Sequence, residues 1–127
     1  MSKISQVGRV IVPVSDQDKA IAFYTDKLGF SLTADIPFGE GDRWVEVLPP
    51  SRGAAIALTR PQGEFTAGRE TGIALTTTDA RAAHAELKEN GVTVDEELIG
   101  GDGTVPLLFM FKDGDGNGLM VVEQPDA

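Results

Sequence analysis

Apolar and polar positions change their period along this chain, and the changes come in the same order twice. Val7 to Val14 is an extended apolar run followed by Ser15-Asp16. Ala20, Phe23, Tyr24 and Leu28 then recur at helical spacing, with Ser15 or Asp16 placed to cap and Gly29 placed to terminate. Three strand-like stretches follow, Ser31–Ile36, Arg43–Leu48 and Ala54–Arg60, broken by Gly39-Glu40-Gly41-Asp42 and by Pro49-Pro50-Ser51-Arg52-Gly53.

The second half repeats the order. Gly72–Thr78 is extended, Asp79 is a capping residue, Ala80, Ala83 and Leu87 keep helical spacing, and Asn90-Gly91 stops the helix. Val92–Ile99, Val105–Lys112 and Gly118–Gln124 read as strands, separated by Gly100-Gly101-Asp102-Gly103 and Asp113-Gly114-Asp115-Gly116-Asn117. Asp16 matches Asp79 and Ala20 matches Ala83. The pattern predicts an α+β fold built from two βαβββ modules. They form a single domain over residues 1–127, with module 1 at 4–60, a linker at 61–69 and module 2 at 70–125.

Strand alternation assigns faces, because successive side chains point oppositely. Val10, Val12 and Val14 share one face, with Arg9, Ile11 and Pro13 opposite. Val45 and Val47 back onto Trp44, Glu46 and Leu48. Ile56 and Leu58 oppose Ala55, Ala57 and Thr59. In the second module Ile73, Leu75 and Thr77 oppose Gly72, Ala74 and Thr76, and Leu119 and Val121 oppose Met120 and Val122. One set is branched and aliphatic, as expected beneath a packed helix. The other mixes charged, small and aromatic members, the make-up of a cavity lining rather than a core.

Composition narrows the partners. A chain of 127 residues, 41% hydrophobic and 24% charged, is ordinary for a globular domain. Its net charge of -9 argues against nucleic-acid and anionic-membrane partners, which need basic patches. Without cysteine there is no disulfide framework and no thiolate chemistry. No signal peptide is expected in Met1–Val14, and no run is long and apolar enough for a membrane span. The expected location is cytoplasmic.

Val12-Pro13-Val14-Ser15-Asp16, with Ala20-Ile21-Ala22-Phe23-Tyr24 and Leu28-Gly29-Phe30, resembles the signature of the vicinal oxygen chelate superfamily, the glyoxalase, bleomycin resistance and dioxygenase proteins. Asp113-Gly114-Asp115-Gly116-Asn117 resembles that family's penultimate hairpin, usually of Asp-Pro-Asp-Gly-Asn type. The resemblance implies two βαβββ modules whose mixed sheets curve into a cup, often completed by dimerisation. It leaves function open, because the family holds metal-dependent isomerases and dioxygenases beside metal-free proteins that sequester drugs. Its metal enzymes take His, Gln or Glu ligands from the first, fourth, fifth and eighth strands. Those positions here fall at Arg9, Ala57, Gly72 and Met120. None offers imidazole or carboxylate, and a guanidinium would repel a cation. No metal and no cofactor are therefore expected.

Other motifs read as structure. Asp113–Gly118 matches the opening of a calcium loop, but position twelve is Gln124 and strands flank it, so a tight hairpin turn explains it better. His84, the only histidine, lies mid-helix, where packing is the expected role. Gly100-Gly101-Asp102-Gly103 lacks a following helix and reads as a mobile loop rather than a phosphate cradle.

Arg9 and Glu46 pose the functional question, since both fall on the mixed face. They pair with each other, or one of them meets a polar ligand. Trp44 either stacks on a planar ligand or fills the hairpin. Leu108, Met110 and Lys112 alternate on the corresponding face of the seventh strand, where methionine suits adaptable packing. The expected function is a metal-independent protein holding a small metabolite or antibiotic in a dimeric cup. Its expected pocket is Arg9, Trp44, Glu46, Ala57, Gly72, Leu108, Met110 and Met120. The alternative is a metal-independent isomerase or lyase with Glu46 as general base and Arg9 as electrostatic stabiliser. A regulatory module with a vestigial cup is a third reading. A homodimer is expected because short strands leave edges and an apolar face to cover.

Overall fold

The computed structural model describes residues 3–61, 63 and 66–124. Within the expected linker, Gln62, Glu64 and Phe65 lie outside the described residues. So do Met1, Ser2, Pro125, Asp126 and Ala127, at the two ends of the expected 1–127 domain.

Two compact units divide the chain, Met1–Ala67 and Gly68–Ala127. The first contains β1 (Arg9–Pro13), α1 (Gln17–Ala22) running into a π-helical turn at Phe23–Lys27, β2 (Ser31–Phe38), β3 (Asp42–Leu48) and β4 (Ala55–Thr59). Its sheet order is β1-β4-β3-β2, with β1 parallel to β4 and the other pairs antiparallel. The second contains β5 (Glu70–Thr77), α2 (Ala80–Glu89), β6 (Thr93–Val94), β7 (Leu108–Lys112) and β8 (Gly118–Glu123). Its order is β5-β8-β7-β6, again with one parallel pair, β5 and β8. The fold is α+β, two βαβββ modules, as the periodicity predicts.

The helices begin and end by the same chemistry. Asp16 and Asp79 both adopt extended backbone and accept from the amide three residues on, Lys19 at 3.1 Å and Ala82 at 3.0 Å. Each side chain thereby satisfies an orphan donor of the first turn. Gly29 and Gly91, at φ 78° and 84°, reverse the chain. The following amides fold back, Val92 N–H to Leu87 O at 2.9 Å and Phe30 N–H to Tyr24 O at 2.9 Å. The second closure spans one residue more because the π turn has widened the helix. There Thr25 Oγ1 donates to Ile21 O at 2.8 Å, the back-bonding that bends helices.

Each sheet buries one face under its helix. In the first unit Val12, Val14, Val45, Val47, Ile56 and Leu58 pack with Ala20, Tyr24 and Phe30, all buried. Gln17, itself buried, ties the helix start to the sheet by donating to Arg43 O and Leu58 O, both at 2.9 Å. Arg43 bonds Asp18 at 2.8 Å and Asp35 at 2.8 Å, joining α1 to β2. In the second unit Phe109, Phe111, Leu119 and Val121 pack with Ala80, Leu87 and Val92.

The sixth and seventh strands differ from the sequence pattern. Only Thr93–Val94 pairs as β6, with an isolated bridge from Ile99 to Leu108. Asp95-Glu96-Glu97 between them has no apolar side to bury. Leu108 rather than Val105 opens β7, because Gly101 N–H closes a turn onto Val105 O at 2.8 Å and Pro106 has no amide to give a ladder. The Gly100–Gly103 stretch is thus held by hydrogen bonds of its own, including Thr104 N–H to Asp102 Oδ1 at 3.1 Å.

Candidate functional site

The open face of the first sheet brings three of the sequence-predicted residues into contact. Cross-strand register sets Glu46 opposite Ala57 and Ala57 opposite Ile11, so a central row runs Ile11, Ala57, Glu46, Ala34. Ala57 is fully buried, a floor without a side chain tall enough to cover its neighbours. Arg9 Nε donates to Glu46 Oε2 at 3.0 Å. Trp44 Nε1 donates to the same oxygen at 2.6 Å. Two donors converge on one carboxylate oxygen and hold the glutamate in one orientation.

What remains unspent matters more. Among the described residues Glu46 Oε1 accepts no hydrogen bond, and Arg9 donates through Nε alone, leaving its two terminal nitrogens open. The Glu46 side chain is only 13% exposed, against 54% for Arg9. A shielded acceptor therefore lies beside a solvent-facing, always-charged fork of donors. Around them the sheet shows water a set of apolar side chains: Ile11 43%, Ile36 57% and Phe38 57% exposed. Phe38 and Trp44 are ring neighbours, centroids 6.4 Å apart at 53°.

Phe38, Ile36 and Ile11 are absent from the sequence-predicted pocket. The first two were legible in principle, since Ala34, Ile36 and Phe38 alternate opposite Glu46, Trp44 and Asp42. The sequence pattern ends that strand at Ile36, whereas β2 runs on to Phe38.

The second unit has a similar open face. Gly72 and Ala74 lie on the exposed side of β5, and Ala74 pairs with Met120, which pairs with Met110. Leu108, Met110 and Met120 are half-buried. Gly72 adopts φ 75° where the β5–β8 register shifts, a bulge that favours glycine. This face is apolar and thioether-rich, with no acid or base among its sequence-predicted members.

Arg9 and Ala57 in the first unit, and Gly72 and Met120 in the second, present no imidazole or carboxylate. Among the described residues no group of three or more His, Asp or Glu side chains is arranged to hold an ion.

The remaining motifs have structural partners. Asp113 Oδ1 accepts from the amides of Asp115 and Asn117, both at 2.9 Å, and Oδ2 accepts from Asn117 Nδ2 at 2.9 Å. Both oxygens serve the hairpin. His84 sits edge-on to Phe109 at 5.0 Å, its Nε2 2.6 Å from Asp95 O. A carbonyl only accepts, so that nitrogen carries the proton.

The chain belongs to the Glyoxalase/Bleomycin resistance protein/Dioxygenase superfamily, whose family model matches residues 6–121. It is similar to TnmS3, an antibiotic binding protein from Streptomyces sp. CB03234. The identity is 36%, the TM-score 0.84, and the match covers 97% of this chain and 98% of the other. A superfamily member from Sphaerobacter thermophilus DSM 20745 superimposes with TM-score 0.85 at 34% identity, covering 95% and 98% of the two chains. The Bacillus subtilis protein YetH is 34% identical over 125 residues, 94% of this chain and 99% of that protein. Among the described residues no helix is long and apolar enough to cross a membrane.

Proposed function

We propose that this protein is a metal-independent, cytoplasmic small-molecule-binding protein that acts as a homodimer and holds a partly aromatic metabolite or antibiotic on its open sheet faces. One observation carries the reading. Glu46 is fixed by Arg9 and Trp44 through Oε2, while among the described residues Oε1 and the terminal nitrogens of Arg9 have no partner, on a face that exposes Ile11, Ile36 and Phe38. A ligand with a planar apolar part finds Trp44 and Phe38, and its polar group finds both an acceptor and two donors. Gly72, Leu108, Met110 and Met120 supply a second surface, apolar and adaptable. The antibiotic binding protein TnmS3, similar over nearly the whole chain, supports this direction.

The free Oε1 favours a second reading, in which Glu46 removes a proton from a bound substrate and Arg9 stabilises the negative charge that develops. Trp44, the only tryptophan, tests both. Its fluorescence is titrated with a panel of aromatic antibiotics while the compounds are followed by mass spectrometry. A saturable change with the compound recovered intact is expected for a binder. Turnover that disappears in Glu46→Gln would establish the enzyme, and no saturable response across the panel would sink the binding reading.

A further inference from the structure

The first unit contains a cavity of about 360 Å³ that the Arg9–Glu46 cluster does not use, lined by Gln6, Val7, Leu48, Arg52, Gly53 and Ala54. It lies at the β3–β4 hairpin, whose strand β4 opens at Ala55, the ladder partner of Arg9. Its volume is within the range of small-molecule sites, roughly 300–1,000 Å³. Val7, Leu48 and Ala54 give it apolar walls. Two residues with polar side chains, Gln6 and Arg52, are among its lining, and among the described residues neither side chain has a hydrogen-bond or ion-pair partner. Arg9, Arg43 and Arg60, in the same unit, each pair with a carboxylate.

The backbone at Arg52 adds an independent sign. It holds φ 71°, the one left-handed non-glycine among the described residues. Gly, Asn or Asp would adopt that conformation more readily, and Arg52 N–H closes the turn onto Pro49 O at 2.9 Å. Strain of this kind gathers where a side chain is needed in one place. The left-handed turn places Arg52 in the cavity lining, and Gly53, at φ 94°, follows it.

We propose that this cavity is an oxyanion-binding site, taking the carboxylate or phosphate group of a small molecule against Arg52, with the Gln6 amide as a second donor. A planar guanidinium presents paired N–H donors matched to two oxygens of such a group. The proposal stands apart from the reading of the Arg9–Glu46 face.

Nitrogen-15-labelled protein is titrated with inorganic phosphate and, separately, with acetate, at constant ionic strength set with chloride. The amides of Val7, Gly53 and Ala54 and the side-chain amide of Gln6 are expected to shift together along saturable curves. The tighter of the two ions names the group. Arg52→Gln is expected to weaken binding at least tenfold, Arg52→Lys to retain part of it, and Arg81→Gln, on an exposed helix position, to leave it unchanged. Non-saturating shifts, shifts scattered over the surface, or curves that Arg52→Gln leaves intact would overturn the proposal.

Discussion

The Arg9–Glu46 pair either holds the sheet together or waits for a ligand, and a double-mutant cycle of Arg9→Ala and Glu46→Gln distinguishes the two. Arg9 is 54% exposed, so water screens the pair, and its coupling in stability belongs with surface ion pairs, about 0.2–1 kcal/mol. Loss of Arg9 does not strand a buried charge, because Trp44 Nε1 still donates to Glu46 Oε2. Glu46→Gln keeps an acceptor for the indole and leaves Arg9 free to water. Each single variant is therefore expected to cost no more than about 1 kcal/mol in urea unfolding followed by circular dichroism. Affinity behaves differently. A ligand that meets the terminal nitrogens of Arg9 loses a charge-assisted hydrogen bond in Arg9→Ala, about 1.5–3 kcal/mol, or roughly 10- to 150-fold in Kd. Because Glu46 orients that guanidinium, the two losses are expected to be non-additive in affinity by about 1 kcal/mol. Stability coupling above about 2 kcal/mol with additive affinities would refute this, and would assign the pair to the fold.

Asn117→Ala is expected to destabilise by about 2–4 kcal/mol in the same unfolding assay, since it strips Gly68 N–H of its acceptor at 2.7 Å and Asp113 Oδ2 of a donor in a buried turn. Hydrogen bonds from Arg43 hold the Asp35 carboxyl below its ordinary value near 3.8. The stability this contributes is complete above that value and is lost as pH falls through the depressed one. Arg43→Gln should accordingly flatten the dependence of Tm on pH below about pH 4. Light scattering at micromolar concentration should give twice the chain mass of 13.4 kDa, and a value near one chain would remove the homodimer. Elemental analysis should find no stoichiometric divalent metal, and added nickel or zinc should leave Tm unmoved; a large rise would show a site the residues do not suggest.

The repeat carried most of the architecture into the sequence, because both modules write their helix boundaries in the same letters, Asp at the start and Gly at the end. Face assignment was equally legible: the valines that alternate with Trp44 and Glu46 are fully buried and those two are not. Less visible was where strands stop. Val92–Ile99 looks extended residue by residue, yet the β6 ladder covers only Thr93–Val94, with one further bond from Asp95 N–H to Met110 O at 3.0 Å. The convergence of Arg9 and Trp44 on a single oxygen of Glu46 was beyond the pattern, which offers pairing and ligand contact as equals. Arg52 was read only as part of a turn, because positive φ at a non-glycine leaves no trace in periodicity.

The parallel ladder between β1 and β4 has a kinetic consequence. The β2–β3 hairpin is local in sequence, meeting through the turn between Phe38 and Asp42. By contrast, Arg9 finds Ala55 only after the helix and that hairpin have been looped out between them. Closing such a loop costs chain entropy before any ladder bond repays it, so non-local parallel pairing slows folding. In the first unit β1 is then the last strand to dock, and φ-values along Arg9–Pro13 should be low while those in β2 and β3 are high. Arg9 arrives with it. During refolding the indole and carboxylate of β3 come together before the guanidinium that completes them, so recovery of ligand affinity should lag behind recovery of secondary structure.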